Sequence, residues 1–440
     1  MCKTSSDIPL AGAEDCKSGD ASLIDYEPTV DSKVEVALDT RKGTVVAGYS
    51  VLTKSMLGSG LFFIAHTCSK FGILAGLAAI AFAGLITWIS LRALSIIAIE
   101  FKDEQPTFYS VSQRIVPKLS WVVDASVIMN CLGAATGYVI TAGNLLADGL
   151  LQMFYGDAPL AEGTKNRSIL IIQASMIVAL GGLAMMKELS GTKYANLVGL
   201  VALLYIVITS FFYCDLSQAS SALLKMPDFL SAMGAFPTFI FAFACQMNVF
   251  QIANELKNPT VKRMNIISIS STLTGAAIYI PVMIIPLLSF GRDIKENYLQ
   301  SLDISKVPVQ VAYLFAALSV SISYVLQIHP LRRSILSLYY GARTPSDTEE
   351  KRNRILVVAV AMLATFGIAV GVKKIDIVTN FTGLIGGNTM CFTMPTWWYL
   401  KKYGYKKDLF GKLVLSLFVV SLLLFPICLT GIIYDMAKTN

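Results

Sequence analysis

The sequence contains little charge. Asp, Glu, Lys and Arg make up 15% of its 440 residues, whereas the hydrophobic set makes up 55%. Soluble domains carry about 25% charged residues, spread over every exposed face. A string of soluble domains is therefore excluded. A helix of about 20 apolar residues crosses roughly 30 Å of hydrocarbon, so this composition indicates an integral membrane protein with many spans.

The residues of metal and nucleophilic chemistry are equally sparse. Two histidines occur, and the eight cysteines show no CxxC spacing, which argues against a zinc site, a disulfide framework and any cofactor. The patterns GxxxxGK[ST] and HExxH are absent, as is a Ser/His/Asp arrangement in a soluble segment. The sequence therefore favours transport driven by a gradient over enzymatic activity. No apolar stretch precedes residue 43, so we expect the first span to direct insertion without a cleaved signal peptide.

The excess of basic residues is sorted by position. Residues 1–40 contain nine acids and three bases, and the rest of the chain carries a net charge of +13, mostly in short loops. This distribution predicts a disordered acidic cytoplasmic tail at 1–42, not a nucleic-acid-binding protein. The membrane domain is predicted at 43–434, followed by a short tail at 435–440.

Long apolar runs bounded by charge predict an all-α protein with eleven transmembrane helices. With the amino terminus in the cytoplasm, 18 Lys and Arg residues face the cytoplasm and 10 face the opposite side, which is the expected bias. The predicted spans are about 44–67, 72–98, 121–147, 168–186, 193–213, 235–255, 265–290, 307–329, 355–372, 376–399 and 411–434.

The first span is unusual because Gly58, Ser59 and Gly60 lie near its centre. An opened backbone in a membrane is tolerated where it lines a protein cavity, although close helix packing through small residues is the alternative. Lys54 lies in the same span, roughly 15 Å deep at about 1.5 Å per residue, and must face the protein interior. Intramembrane charges are usually functional. We expect a coupling or substrate role for Lys54, with a fixed structural cation as the alternative.

The sixth span contains Pro237, Gln246 and Asn248 in a stretch without charge. Interrupted first and sixth spans are the sequence signature of a five-plus-five inverted repeat that holds its substrate at the breaks. The amino-terminal ends of half-helices there would present backbone N–H groups to an anion such as a carboxylate.

In order along residues 43–434, the chain resembles the amino acid/auxin permease family. The resemblance is carried by residues 54–61 (KSMLGSGL), 236–248 (FPTFIFAFACQMN), 254–260 (NELKNPT) and 329–335 (HPLRRSI). It implies an eleven-helix secondary transporter of the leucine-transporter-like fold that carries amino acids with protons or sodium. Ala65 departs from the family, which commonly has Pro there.

At the position of Lys54, sodium-coupled neutral members of the family carry an Asn that binds sodium. Proton-coupled members resemble this chain in carrying Lys, and the partner hydroxyl of the eighth span aligns with Ser323. An ammonium at this position would repel sodium, so we expect transport that is proton-coupled or uncoupled. Lys54 and Ser323 are the predicted ion-coupling residues.

The predicted substrate is a small neutral amino acid, because the span interiors offer no acid for a cationic side chain. Amides at the first break would bind its carboxylate, and carbonyls at the sixth would bind its ammonium. Phe241 and Phe243 could equally be core packing. The predicted substrate-binding residues are Gly58, Ser59, Gly60, Asn130, Tyr138, Phe241, Ala242, Phe243 and Gln246.

Two peripheral features complete the sequence-based picture. Glu255 is predicted to form a cytoplasmic gate with Arg41 or Lys42, with solvated helix-end charges as the alternative. The sequon Asn166-Arg167-Ser168 falls in a predicted outward loop, where it is either a glycosylation site or an ordinary polar loop. A cationic amino-acid transporter and a membrane amino-acid sensor remain alternative functions, and both the plasma membrane and the vacuolar or lysosomal membrane fit.

Overall fold

The computed structural model describes residues 43–58, 60–102, 106–156, 162–185, 192–216, 221–341, 343, 345–372 and 375–439. Within these residues the fold is all-helical, and extended backbone pairs only at an isolated bridge between Gly43 and Leu256. The predicted fold class is thereby confirmed. The predicted tail at 1–42 lies outside the described residues.

The α-helices follow the predicted spans closely. In chain order they are α1 (Val45–Met56), α2 (Gly60–Phe71), α3 (Ile73–Glu100), α4 (Phe108–Ile115), α5 (Ser120–Tyr155), α6 (Glu162–Met185), α7 (Thr192–Tyr213), α8 (Phe229–Ala242), α9 (Asn248–Glu255), α10 (Val261–Phe290), α11 (Val307–Tyr340), α12 (Asp347–Gly371), α13 (Ile375–Phe381), α14 (Met394–Tyr403) and α15 (Leu409–Thr439).

Seven helical segments of the described chain are long and apolar enough to cross a membrane: Ile73–Glu100, Pro117–Tyr155, Gly163–Met185, Val261–Asp293, Val307–Tyr340, Asp347–Gly371 and Leu409–Lys438. Val198–Tyr213 and Phe229–Ala242 are shorter apolar helices. Several of the remaining predicted spans are divided into shorter helices, and each of these pieces alone is too short to cross a membrane. The total of eleven spans therefore stays a prediction.

The first and sixth spans are interrupted, as predicted. The first divides into α1 and α2, with Leu57 and Gly58 outside both helices. The sixth divides into α8 and α9 across Phe243–Met247, beyond Pro237, which lies inside α8. The tenth span is also irregular, because a π-helical segment, Thr382–Thr393, separates α13 from α14. Wide turns of this kind often occur at functional sites.

A glycine fixes the end of the first span. Gly72 has φ +78°, and a Cβ there would lie 2.4 Å from the carbonyl oxygen of Lys225. A left-handed backbone with so close a neighbour requires glycine. The chain can therefore turn directly from α2 into α3.

The broken helices lie among the more enclosed spans. Helix α5 packs along α11, α10 packs against α1 and α2, and α2 packs against α8. In its most apolar stretch α5 is 72% buried, whereas α15 is only 22% buried. The helices around the breaks thus form the protein interior, and α15 presents most of its apolar surface outward, as a lipid-facing helix does.

Candidate functional site

The two interruptions meet at a backbone contact between Gly60 and Ala242. A Cβ added to Gly60 would lie 2.6 Å from the Cα of Ala242 and 2.8 Å from its Cβ. No larger residue fits at position 60 without moving the backbone. The glycine therefore lets the start of α2 pack directly on the end of α8.

Tyr279 of α10 links the same two breaks. Its hydroxyl, fully buried, lies within hydrogen-bonding distance of the carbonyl oxygen of Met56 and 2.8 Å from that of Ala242. Both carbonyls belong to the last residue of a helix, where intrahelical donors are missing. The two carbonyls at the broken ends therefore share the single proton of this hydroxyl. Sequence reasoning missed this role because a tyrosine in an apolar span has no distinguishing pattern.

Side-chain hydrogen bonds attach the last turn of α1 to two neighbouring helices, α9 and α10. Asn248 Nδ2 donates to Ser55 Oγ at 2.8 Å, which ties the start of α9 to the end of α1. Thr53 Oγ1 donates to Ser271 Oγ of α10 at 3.1 Å. The half-helices are thus positioned by polar contacts as well as by packing.

Lys54 is 5% exposed, and its ammonium donates to Ser319 Oγ of α11 at 3.2 Å. Gly199 of α7 makes room for it, because a Cβ there would lie 2.6 Å from Lys54 Cε. The predicted partner, Ser323, lies one turn further along α11 and donates to the Ser319 carbonyl at 3.0 Å. The direct partner of Lys54 is therefore Ser319. A spacing of four residues puts both serines on one helix face. Ser319 could have been inferred from this spacing.

Two buried polar atoms near the sixth break have no hydrogen-bond partner among the described residues. They are Oδ1 of Asn130, a residue that is 3% exposed, and Nε2 of Gln246, which is fully buried. The other amide atom of each side chain contacts the break: Asn130 Nδ2 lies 3.9 Å from Met247 Sδ, and Gln246 Oε1 accepts from the Cys245 amide at 2.9 Å. An unused acceptor and an unused donor therefore flank the break.

The remaining predicted substrate residues are engaged to different degrees. The Gly58 amide donates to the Met56 carbonyl at 2.7 Å, and the Tyr138 hydroxyl would lie 3.3 Å from a Cβ on Gly58. Ser59 lies outside the described residues. Phe243 is fully buried and packs edge-on against Tyr279, with ring centroids 5.2 Å apart, which favours core packing for this residue. Phe241 is also buried, at 9% exposed.

The glycines of the tenth span produce close packing. A Cβ on Gly386 would lie 2.6 Å from the backbone of Asn130, and one on Gly383 would lie 2.0 Å from the Pro237 carbonyl oxygen. The π-helical segment therefore lies directly against the third and sixth spans. Within the described residues, no group of three or more His, Cys, Asp and Glu side chains is arranged to hold a metal ion.

At the amino-terminal end of α1, the contact that the structure describes is made by backbone. The Gly43 amide donates to the Glu255 carbonyl at 2.8 Å, and the Lys257 amide donates to the Gly43 carbonyl at 2.9 Å. The Glu255 carboxylate is exposed and accepts from Gln251 at 3.0 Å. Arg41, its predicted partner, lies outside the described residues, so the gate between them stays a prediction.

Asn166, the predicted glycosylation site, is exposed near the start of α6. The beginning of this helix is joined to α5 by an ion pair of 2.7 Å between Lys165 and Asp148. The sequon therefore lies on helical backbone close to a helix end, and glycosylation stays a prediction.

An all-helical membrane bundle with two broken helices that meet in its interior has the arrangement of the leucine-transporter-like fold. The chain belongs to the transmembrane amino acid transporter protein family, whose model matches residues 41–434. It is a membrane transporter, not an enzyme.

Relatives and a solved structure agree with this assignment. The chain is 24% identical to vacuolar amino acid transporter 5 of Schizosaccharomyces pombe, over 78% of this chain and 81% of that protein. It is 23% identical to sodium-coupled neutral amino acid transporter 7 of Mus musculus, over 83% and 85% of the two chains. The solved structure of MhsT in complex with L-phenylalanine superposes with a TM-score of 0.57 and 16% identity, over 88% of this chain and 98% of MhsT. That likeness shows the fold.

Proposed function

We propose that the chain moves small neutral amino acids by alternating access, coupled to protons and independent of sodium. The observation that carries this proposal is the buried ammonium of Lys54, held on Ser319 beside the break in the first span. A sodium ion needs oxygen ligands and is repelled by a cation at close range. The occupied position therefore disfavours a sodium site at this point.

A buried lysine is also suited to proton coupling. Burial without a carboxylate partner disfavours the charged form of an amine, and Lys54 forms no ion pair among the described residues. Its ammonium is held by a single hydroxyl and enclosed by Gly199. If water reaches this position as the helices move, the proton can be exchanged with one side of the membrane.

The polar atoms at the breaks complement an amino-acid zwitterion. The unused acceptor of Asn130 suits an ammonium, and the unused donor of Gln246 suits a carboxylate. A buried polar atom without a partner costs about 1–3 kcal/mol, which a bound substrate would recover. Backbone groups of Gly60 and Ala242, where the two breaks touch, are further candidates for contact with the substrate.

The charges of the broken helices favour a neutral substrate side chain. In the described parts of α1, α2, α8 and α9, the one carboxylate is that of Glu255, exposed at the end of α9. A cationic substrate would have to rely on carbonyl oxygens alone. We further propose a cytoplasmic amino terminus and, from the name of the Schizosaccharomyces pombe relative, the vacuolar membrane as the location.

The test is uptake into proteoliposomes, with a panel of amino acids and with pH and sodium gradients imposed separately. We expect small neutral amino acids to accumulate with a pH gradient alone. Accumulation that requires sodium would contradict the proton coupling, preferential uptake of lysine or arginine would contradict the neutral substrate, and binding without uptake would indicate a sensor.

The residue-specific arm compares Lys54→Met with Lys306→Met. Lys306 is a matched control because its side chain is 57% exposed and far from the breaks in sequence. We expect Lys54→Met to lose accumulation driven by the pH gradient, whereas Lys306→Met retains it. A Lys54→Met variant that remains fully driven by pH would remove Lys54 from the coupling role.

A further inference from the structure

A second group of titratable side chains lies at the other end of the first span, where α2 finishes. His66 and Lys70 come from α2, Asp376 from the first turn of α13, and Asp435 from α15. Glu296 comes from the connection between α10 and α11. Segments that are distant in the sequence thus bring five ionisable groups together, and none of them takes part in the site at the breaks.

Short ion pairs join these segments. Lys70 Nζ lies 3.2 Å from Asp376 Oδ2 and 2.8 Å from Asp435 Oδ2. His66 Nε2 lies 3.0 Å from the same oxygen of Asp376. These side chains are only about one-fifth exposed, so their attraction is screened less than that of surface pairs.

Both ring nitrogens of His66 face acceptors. Nδ1 lies 2.9 Å from the Ile294 carbonyl oxygen, and Nε2 faces the Asp376 carboxylate. A neutral imidazole has one N–H and cannot donate at both positions, whereas an imidazolium can. Lys70 contacts the same carboxylate oxygen and stabilises its ionised form. The geometry thus assigns the additional proton to His66.

The surrounding charges favour the same protonation. Three carboxyl groups, those of Glu296, Asp376 and Asp435, lie near one lysine, so a proton on His66 lowers the excess of negative charge that a neutral ring would leave. Glu296 Oε2 accepts from the Ile375 amide at 2.8 Å and from the Asp376 amide at 3.4 Å. Burial, followed by the charge of Asp376, raises the pKa of Glu296.

The other polar and charged side chains on this side of α2 have other partners. Arg292 donates to the carbonyls of Ser69 and Lys225, at 3.2 and 3.1 Å. The Tyr298 hydroxyl lies 3.0 Å from Ser210 Oγ, and Asp293 and Lys295 are exposed. Helix α8, which also packs on α2, carries no charged side chain.

We propose that His66 is a proton-binding site that holds the second half of the first span against the start of the tenth. With the proton bound, the ring bridges Ile294 and Asp376, and the end of α2 is held against the start of α13. Without the proton, an imidazole lone pair would face either the carboxylate or the carbonyl, and one of the two His66 bonds would be lost. The attachment of α2 at this end would then be weaker, with Lys70 still paired to Asp376. As a coupling element the site rests on the proposed transport function, but its protonation can be measured independently of transport.

The second histidine of the chain is a built-in control. His329 Nδ1 lies 3.1 Å from a guanidinium nitrogen of Arg332, which can only donate. His329 must therefore accept at Nδ1 and is neutral in this arrangement. Since the sequence contains no third histidine, histidine-specific labelling reports on these two rings alone.

The test is nitrogen-15 NMR of the full-length chain in nanodiscs, labelled at histidine. At neutral pH we expect one imidazolium, protonated at both nitrogens, and one neutral ring. His329→Gln should remove the neutral signals, and Asp376→Asn should convert the imidazolium to a neutral ring. Two neutral rings in the wild type, or loss of the imidazolium signals in His329→Gln, would overturn the proposal. The spectra of the wild type and of His329→Gln establish whether His66 is protonated, even if Asp376→Asn does not fold.

The conformational part is tested by hydrogen exchange at one fixed pH. His66→Gln should increase deuterium uptake in residues 60–71 relative to His329→Gln, because only the former removes the His66 contact with α13. Equal exchange in the two variants would refute the closing role. If the wild type transported no amino acid under any gradient, the proposed function would fail, while the NMR and exchange results would still decide the role of His66.

Discussion

The contact between the two breaks can be tested by Gly60→Ala. The added methyl group would lie 2.6 Å from the Cα of Ala242, whereas ordinary contact begins near 3.4 Å. Helices α2 and α8 would have to separate by about 0.8 Å at this point, and backbone cannot move aside as a flexible side chain does. Overpacking of a close-packed core costs about 1–3 kcal/mol. We expect the upper part of this range because backbone lies on the receiving side.

Function should suffer more than stability. A displacement of about 1 Å at a site that depends on positioning can cost roughly 100-fold in rate. Uptake of the preferred amino acid by Gly60→Ala should therefore fall by one to two orders of magnitude, while the thermal unfolding temperature of the purified protein falls modestly. Both are measured on the same preparation, the first in proteoliposomes and the second by intrinsic fluorescence.

Gly137→Ala is the matched control. Gly137 lies inside α5, and a Cβ there would meet no heavy atom within 4 Å. Alanine in a helix is favoured over glycine by about 1 kcal/mol, so this variant should be as stable as the wild type or more so, with its uptake preserved. The reasoning is refuted if Gly60→Ala matches Gly137→Ala in both unfolding temperature and uptake.

Three further predictions follow from single contacts. Tyr279→Phe removes the hydroxyl whose proton the two broken ends share, and should lower the free energy of unfolding by about 1–3 kcal/mol; an unchanged denaturation midpoint would contradict this. Gly199→Ala crowds Lys54 Cε and should alter the pH profile of uptake, whereas an unaltered profile would separate Gly199 from Lys54. Because the pKa of Glu296 is raised by burial and then by Asp376, the folded chain binds this proton more tightly than the unfolded chain, and the stability due to it is lost as pH rises. The unfolding temperature of Glu296→Gln, relative to the wild type, should therefore rise from acid to neutral pH, and a constant difference would argue against the shift.

The breaks could be predicted from the sequence because their causes are local. Gly58 and Gly60 weaken a helix wherever they occur, and a polar stretch in an apolar span indicates an interior position. The structure accordingly interrupts the first span at the predicted place. Their exact packing was not predictable, since the contact of Gly60 with Ala242 depends on how two distant helices approach.

The partner of Lys54 shows how far helical periodicity extends. The family resemblance implied a partner hydroxyl on the eighth span and aligned it with Ser323, whereas the ammonium binds Ser319, four residues earlier. One turn of α-helix moves a side chain by about 5.4 Å along the axis without changing its face. The helix face that carries the partner of Lys54 could therefore be predicted from the sequence, but the position of the partner along the helix axis could not.

The group around His66 had no local signal at all. His66 and Asp376 are separated by 310 positions, and each looks like an isolated charge near a helix end, where solvated side chains are common. Only the fold, which brings α2, α13 and the α10–α11 connection together, turns these isolated residues into a proton site. Chemistry assembled from the ends of several helices leaves no pattern in a single sequence.

The first span is thus attached to the rest of the bundle at both ends, by bonds of different kinds. At the amino-terminal end, Gly43 makes two backbone hydrogen bonds, one to Glu255 at the end of α9 and one to Lys257 just after it. Backbone amides and carbonyls do not titrate near neutral pH. At the other end, His66 and Lys70 hold Asp376 through charged contacts, of which the contact of His66 depends on a proton. A ligand shifts an equilibrium only by its differential affinity for the two states. Of these two attachments, only the one at His66 can therefore respond to a pH gradient. Proton binding can then be linked to the opening of α2, while the attachment at Gly43 stays independent of pH.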